Sequence, residues 1–222
     1  MNNIIRFGET VEGYSIPVLN EREIRASAGL LFFALFLSLM LVIFRSDFLY
    51  IKYFIVFFLT DFVIRVFVNP GFSPTLIAGR LIVGSQVPEY VGAAQKKFAW
   101  VIGLGLAAIM LVLMVLVNSY SPITGIICLI CLVFLFFESA FGICLGCKFY
   151  PLFFKEKVQL CPGGTCEVKT KQEIQTTSWA QRFVLLGFVA YVVVAVVLLN
   201  DTFARKPYDL FGITGSEQGQ VR

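Results

Sequence analysis

Long apolar runs, each close to the length of a bilayer-crossing helix, constrain the fold of this chain more than any other feature. The hydrocarbon core of a bilayer takes roughly 20 apolar residues in a helix. Five runs approach or reach that length, at about residues 26–44, 49–68, 98–117, 123–144 and 178–199. Charged residues make up only 14% of the 222 residues, whereas a soluble domain carries roughly 25%. The sequence therefore predicts an all-α integral membrane protein with five transmembrane helices in contact with lipid.

A helix-breaking stretch separates the second run from the third. It reads Asn69-Pro70-Gly71-Phe72-Ser73-Pro74, and the apolar segment from Thr75 to Val83 that follows is too short to span and contains Arg80. We expect an interfacial or re-entrant segment within residues 70–93. The predicted organisation is an amphipathic N-terminus over 1–25, a four-span membrane core over 26–147, a loop over 148–177, a fifth span over 178–199 and a tail over 200–222.

The distribution of Lys and Arg predicts the orientation. With five spans, 12 of these residues lie on the side of the N-terminus, five lie on the opposite side, and Arg65 lies within a span. Because positive charge accumulates on the cytoplasmic side, the N-terminus and the loop over 148–177 are predicted to be cytoplasmic. The basic residues are confined to a few loops, so no nucleic-acid partner is expected.

Asp61, Arg65 and Glu138 are ionisable residues that lie within the predicted spans. Such residues are costly in a membrane and mark candidate functional sites. From the rise of 1.5 Å per residue, Asp61 and Glu138 lie roughly 12–14 Å inside the same end of the spans. A cluster of the three side chains at one depth is feasible, either as a structural clamp between helices or as a substrate or proton site.

Four cysteines follow the fourth span closely. Cys144 and Cys147 form a Cys-Leu-Gly-Cys motif, and Cys161 and Cys166 lie in the loop beyond. A Cys-x-x-Cys pair is a redox motif when cations stabilise its thiolate, and Lys148 is adjacent. Since the cytoplasm keeps thiols reduced, the pattern favours thiol exchange or metal binding over a structural disulfide.

A metal site is the alternative for the same cysteines. The spacing C-x2-C-x13-C-x4-C is similar to that of zinc-binding loops, and four thiolates can hold zinc or an iron–sulfur centre. No cofactor is assigned from the sequence. Cys128 and Cys131, within the fourth span, are expected to be packing residues, since buried cysteines mostly behave as small hydrophobes.

Several ordered motifs resemble one bacterial membrane-protein family, the domain of unknown function 4395. They are Asn20-Glu21-Arg22, Asp61-x3-Arg65, Ser73-Pro74, Gln95-Lys96-Lys97-Phe98-Ala99 and Glu138-x3-Gly142-x-Cys144-x-Gly146-Cys147. The resemblance covers about residues 18–151. It implies a four-helix core in the bacterial inner membrane, with Cys144 and Cys147 inside the core and Cys161 and Cys166 outside it. It also suggests association with thioredoxin-like and sulfurtransferase proteins.

The cysteines lead to the functional hypothesis. We expect a membrane thiol–disulfide or sulfur-handling protein, with Cys144 and Cys147 as the working dithiol and Cys161 and Cys166 as accessory thiols. An oxidoreductase activity is feasible but is not assigned. The alternatives are a transporter for a small sulfur oxyanion, attracted by Arg65 and Arg80, and a structural membrane subunit with a four-cysteine metal site.

Overall fold

The computed structural model describes residues 7–11, 16–147 and 176–209. Six helices dominate them: α1 (Glu21–Arg45), α2 (Leu49–Val63), α3 (Pro74–Val83), α4 (Ala93–Met110), α5 (Pro122–Phe136) and α6 (Trp179–Phe203). Three of these helices continue directly as π-helical turns: α2 through Ile64–Val68, α4 through Leu111–Leu116 and α5 through Phe137–Phe141. The expected all-helical fold is confirmed.

Four of the predicted spans are helices long and apolar enough to cross a membrane. They are Glu21–Arg45, Ala93–Leu116, Pro122–Phe141 and Trp179–Phe203. The second predicted span is shorter as an α-helix, with 15 residues in α2 and five in its π-helical extension. The ten-residue α3 is too short to cross a bilayer. A short 3₁₀ turn, Pro70–Phe72, precedes it where the sequence predicts a helix break.

The core is a ring of four helices. In it, α1 packs against α2 and α5, and α4 packs against the same two helices from the other side. Close approach of α2 and α4 depends on Gly103, because a Cβ atom there would lie 2.8 Å from the Phe62 ring. Helix α3 crosses α1 just as closely, because a Cβ on Gly79 would lie 2.5 Å from the carbonyl oxygen of Glu23. The implied four-helix core is therefore present.

Two small strand pairs mark the opposite ends of the bundle. Strand β1 (Val18–Asn20) pairs antiparallel with β2 (Tyr90–Gly92), and α1 and α4 begin directly after these strands. Strand β3 (Ser119–Tyr120) pairs in parallel with β4 (Tyr208–Asp209), next to the start of α5 and the end of α6. We name them the β1–β2 end and the β3–β4 end. Helix α5 thus runs toward the β1–β2 end and delivers the cysteine motif there.

A buried lysine fastens the β3–β4 end. Lys52 is 1% exposed, and its Nζ donates to Asn118 Oδ1 at 2.7 Å and to the carbonyl oxygens of Phe203 at 3.3 Å and Arg205 at 2.7 Å. These bonds connect α2 to the turn before β3 and to the end of α6. Helix α2, the turn after the extension of α4 and the end of α6 are thereby bonded together at this end.

Helix α6 lies outside the ring, against α2 and α3. Its residues are mostly exposed, and only Phe188 and Phe203 are buried. Ser178 caps it, accepting a hydrogen bond at 3.2 Å from the N–H of Gln181. The Gln181 side chain in turn donates to the carbonyl oxygen of Gly71 at 2.7 Å, which ties α6 to the segment before α3.

Candidate functional site

The cysteine motif begins where α5 ends. Helix α5 and its extension stop at Phe141, and Gly142 adopts a left-handed conformation with φ of 64°, which glycine tolerates without strain. The fourth span therefore ends three residues before the predicted residue 144. A new helical turn starts at Leu145. The break redirects the chain, so that the cysteines do not continue along the face of α5.

Glycine also lets this turn dock on α4. A Cβ added to Gly146 would lie 2.7 Å from the Cβ of Ala99, closer than side chains approach one another. Gly146 and Cys147 are buried against the bundle, whereas Cys144 is partly exposed. The motif thus has one cysteine that is held inside and one that is accessible.

Cys144 and Cys147 form a close pair. Their Cα atoms lie 5.2 Å apart and their sulfur atoms are in contact, within the range that a disulfide bridges. The N–H of Cys147 donates to Cys144 Sγ at 3.3 Å. Cys147 Sγ lies 3.6 Å from the carbonyl oxygen of Gln95, so in the reduced pair its thiol can donate a hydrogen bond there. Cys161 and Cys166 lie outside the described residues.

A buried three-residue charge cluster lies beside the pair. Lys96 Nζ contacts Glu138 Oε1 at 2.5 Å and Glu21 Oε2 at 2.8 Å. The lysine side chain is 5% exposed, and those of the two glutamates are 9% and 13% exposed. The cluster joins the first turns of α1 and α4 to the end of α5. Since removing one member of a buried ion pair strands the other charges, it should fix these three helix ends.

Asp61 and Arg65, both from α2 and its extension, form a second buried network. Arg65 Nε donates to Asp61 Oδ2 at 2.7 Å, and both side chains are at most 2% exposed. The other oxygen of Asp61 accepts from the Ser73 hydroxyl at 2.7 Å and the Thr75 N–H at 3.0 Å. Arg65 Nη2 donates to Ser27 Oγ at 2.6 Å and also to Thr75 Oγ1. The network fastens α1, α2 and the start of α3 together.

A further ion pair connects α3 to α1. Arg80 Nε contacts Glu23 Oε2 at 3.1 Å, and both side chains are nearly buried. Asn20, the N-cap of α1, donates to the second oxygen of Glu23 at 3.0 Å. Arg80 also donates to Gln181 of α6 at 3.3 Å. Its guanidinium is thus engaged by the protein itself.

The predicted cluster of Asp61, Arg65 and Glu138 is not formed, and only Arg65 and Glu138 of the three line a common cavity. Arg65 and Glu138 both line it, but Arg65 pairs with Asp61 and Glu138 pairs with Lys96. Sequence reasoning missed the roles of Lys96 and Glu21, which it placed in polar flanking segments. The available signal was their position in the first turns of two helices that start from the same end.

The cavity has a volume of about 70 Å³ and lies between the four core helices. Its walls are mostly apolar and aromatic. The ionisable side chains that line it are Arg65, Cys131, Glu138 and Cys144. Cys131 also lines a second, smaller cavity together with Cys128. Both of these cysteines are unpaired, as expected for packing residues, and Cys128 belongs to the hydrophobic core.

Comparison with known families gives one match. The model of a domain of unknown function, DUF4395, matches residues 19–155, which is more than half of the chain. The chain belongs to the DUF4395 family. The suspected resemblance is therefore confirmed. No curated protein and no solved structure is significantly similar to the chain.

The DUF4395 region contains α1 to α5, both buried charge networks and the Cys144–Cys147 pair. It ends before Cys161, Cys166 and α6. Within the described part of the chain, no group of three or more metal-ligating side chains comes together. A four-cysteine metal site would need Cys161 and Cys166, which lie outside that part.

Proposed function

We propose that this DUF4395 protein is a membrane thiol–disulfide or sulfur-handling protein whose working dithiol is Cys144 and Cys147. The observation that carries the proposal is the close pairing of the two cysteines at the β1–β2 end, with Cys144 lining the cavity of the bundle. A pair that serves only packing would not need one partly exposed sulfur beside a cavity.

The two cysteines have different roles in this proposal. Cys144 is the attacking residue, because it is the more accessible and because the N–H of Cys147 donates to its sulfur. A hydrogen bond to the charged form favours the thiolate, which is the nucleophile. Cys147 is the resolving residue, which closes the disulfide from its buried position against α4.

The buried charges position this dithiol. Glu138 lies four residues before the glycine at which the chain turns toward Cys144, and Lys96 follows Gln95, whose carbonyl faces Cys147. The Lys96–Glu138–Glu21 cluster therefore holds the two segments that support the motif. Glu138 and Arg65 line the approach to Cys144 through the cavity.

The proposed setting is a bacterial inner membrane crossed five times. Helix α2 with its extension supplies the remaining crossing, since its 20 residues run from the β3–β4 end to the β1–β2 end. The excess of Lys and Arg at the β1–β2 end supports a cytoplasmic location for the N-terminus and the cysteines. There, thioredoxin-like or sulfurtransferase proteins are the proposed partners.

Transport of a sulfur oxyanion is less well supported. Arg65 already donates to Asp61, Ser27 and Thr75, and Arg80 is bound to Glu23. An entering anion would have to displace these partners from buried positions, which is costly. Neither guanidinium therefore provides a free anion site.

Thiol trapping in isolated membranes tests the proposal. A maleimide reagent of high mass should shift the wild-type protein further after reduction than after mild oxidation. Cys144→Ser and Cys147→Ser should each remove this redox-dependent part of the shift. The control is Cys128→Ser with Cys131→Ser, which should retain it. A wild-type protein without any redox-dependent shift contradicts the proposal.

A further inference from the structure

The cavity beside Cys144 limits the size of the group that it can enclose. At about 70 Å³ it has less than half the volume of an engineered cavity of roughly 150 Å³ that binds benzene. A benzene-sized ring is therefore too large to be enclosed in it. A group of one or two heavy atoms attached to Cys144 fits.

The walls of the cavity also suit a particular chemistry. Phe58, Phe62, Trp100 and Phe134 line it together with aliphatic side chains. Sulfur is polarisable and makes favourable contacts with aromatic rings, whereas a strongly hydrated ion would lose its water in such surroundings. A single additional sulfur atom matches both the size and the lining.

We infer that Cys144 carries a sulfane sulfur, taken from a low-molecular-weight persulfide, with the terminal sulfur held in the cavity. This inference rests on the proposed function, because it names the substrate of the same dithiol. The inference requires that only Cys144 reach the cavity, and the two cysteines differ in this way. Cys144 lines the cavity and Cys147 is not among its described lining residues, lying instead 3.6 Å from the carbonyl oxygen of Gln95.

The reaction balances without another reductant. In the first step, the thiolate of Cys144 attacks the terminal sulfur of R–S–SH, and R–SH leaves with the proton that Cys144 gave up. In the second step, Cys147 attacks Cys144 Sγ and displaces the terminal sulfur as hydrogen sulfide, which takes the thiol proton of Cys147. The dithiol loses two electrons to become the disulfide, and the sulfane sulfur gains them.

Mass spectrometry of the resolving-cysteine variant tests the inference. Full-length Cys147→Ser in detergent, treated with cysteine persulfide, should gain the mass of one sulfur atom, and peptide mapping should place it on Cys144. Cys144→Ser should show no such gain at Cys147. In the wild-type protein, hydrogen sulfide should be released in equal amount to the disulfide formed.

Two matched alanines test the role of the cavity. Ala28 lines the cavity beside Cys144 and Ala107 lines the second cavity, and both are 5% exposed. In the Cys147→Ser background, Ala28→Ile should abolish the sulfur gain and Ala107→Ile should retain it. If Ala28→Ile does not give a monodisperse protein, Ala28→Val should reduce the gain.

The outcomes separate the two proposals. If wild-type Cys144 and Cys147 interconvert between dithiol and disulfide but Cys147→Ser gains no sulfur, only the persulfide inference is overturned. If sulfur accumulates on Cys147 in the Cys144→Ser variant, the assigned roles are overturned. If the pair does not interconvert at all, the proposed function falls as well.

Discussion

Lys96 Nζ lies 2.5 Å from Glu138 Oε1, and this contact joins the first turn of α4 to the end of α5 beside the cysteine pair. Glu21 of α1 takes the other side of the same ammonium group at 2.8 Å. The three helix ends that surround Cys144 and Cys147 therefore share one buried cation.

Lys96→Met should destabilise the protein strongly, because it leaves two buried carboxylates without their cation. Breaking a buried ion pair in this way costs about 3–5 kcal/mol. The measurement is the free energy of unfolding, obtained by titrating the purified protein with a denaturing detergent. The control is Lys97→Met, since Lys97 is exposed and contacts the Phe7 ring at 4.8 Å, a contact worth about 1 kcal/mol. Equal losses for both variants would contradict the account.

Arg65→Lys should be nearly as damaging although it retains the charge. Arg65 donates from Nε to Asp61 and from Nη2 to both Ser27 and Thr75. One ammonium group cannot reproduce this planar arrangement. We expect a loss of about 2–4 kcal/mol, from the buried hydrogen bonds that are left incomplete. The control is Arg45→Lys, since Arg45 is exposed at the end of α1, and this variant should change the free energy of unfolding little. A loss as large as that of Arg65→Lys would show that the hydrogen bonds of Arg65 do not account for its effect.

Gly146→Ala should loosen the cysteine motif from α4. The new Cβ would lie 2.7 Å from the Cβ of Ala99, so the turn must move outward and Cys147 should become more exposed. Alkylation of Cys147 after reduction should then be faster than in the wild-type protein. Combining it with Ala99→Gly should restore the slow rate only in part, because the Cα of residue 99 would still lie 3.0 Å from the new Cβ.

Gly105→Ala serves as the matched control for this variant, since no atom lies within 4 Å of a Cβ added at Gly105. It should leave the alkylation rate of Cys147 unchanged. If Gly146→Ala and Gly105→Ala behave alike, then the packing of the motif on α4 does not control access to the thiol.

Labelling from each side of the membrane tests the orientation. Ser85 and Ser46 are both exposed, at the β1–β2 end and the β3–β4 end. In a variant with the native cysteines replaced by serine, Ser85→Cys should react only with a reagent that enters the cytoplasm, and Ser46→Cys with an impermeant reagent added outside. Reaction of both positions from the same side would contradict the proposed topology.

The spans could be predicted from the sequence because the bilayer imposes their length and apolarity. The Asp61–Arg65 pair could also be predicted, since its residues are one helical turn apart. The end of the fourth span was placed three residues too late, because the apolar pattern continues past Gly142 although its left-handed conformation ends the helix.

The rest of the site depends on tertiary packing. Lys96, Glu21 and Glu138 lie on three helices, and the sequence indicates only that two of these helices start from the same end, not that the three side chains meet. The cavity arises from the fit of side chains on four helices, which periodicity does not describe. The sequence thus predicts the cysteine pair as a candidate site. The buried charges that hold its segments and the cavity beside it are seen only in the structure.

The most direct test of the central claim is the redox titration of Cys144 and Cys147 in wild-type membranes, measured by differential alkylation and mass spectrometry. The account predicts that both thiols are lost and regained together along one two-electron curve, with a tenfold change in the ratio of dithiol to disulfide for about 30 mV. Two thiols that titrate independently, or that remain reduced at every potential, would contradict it.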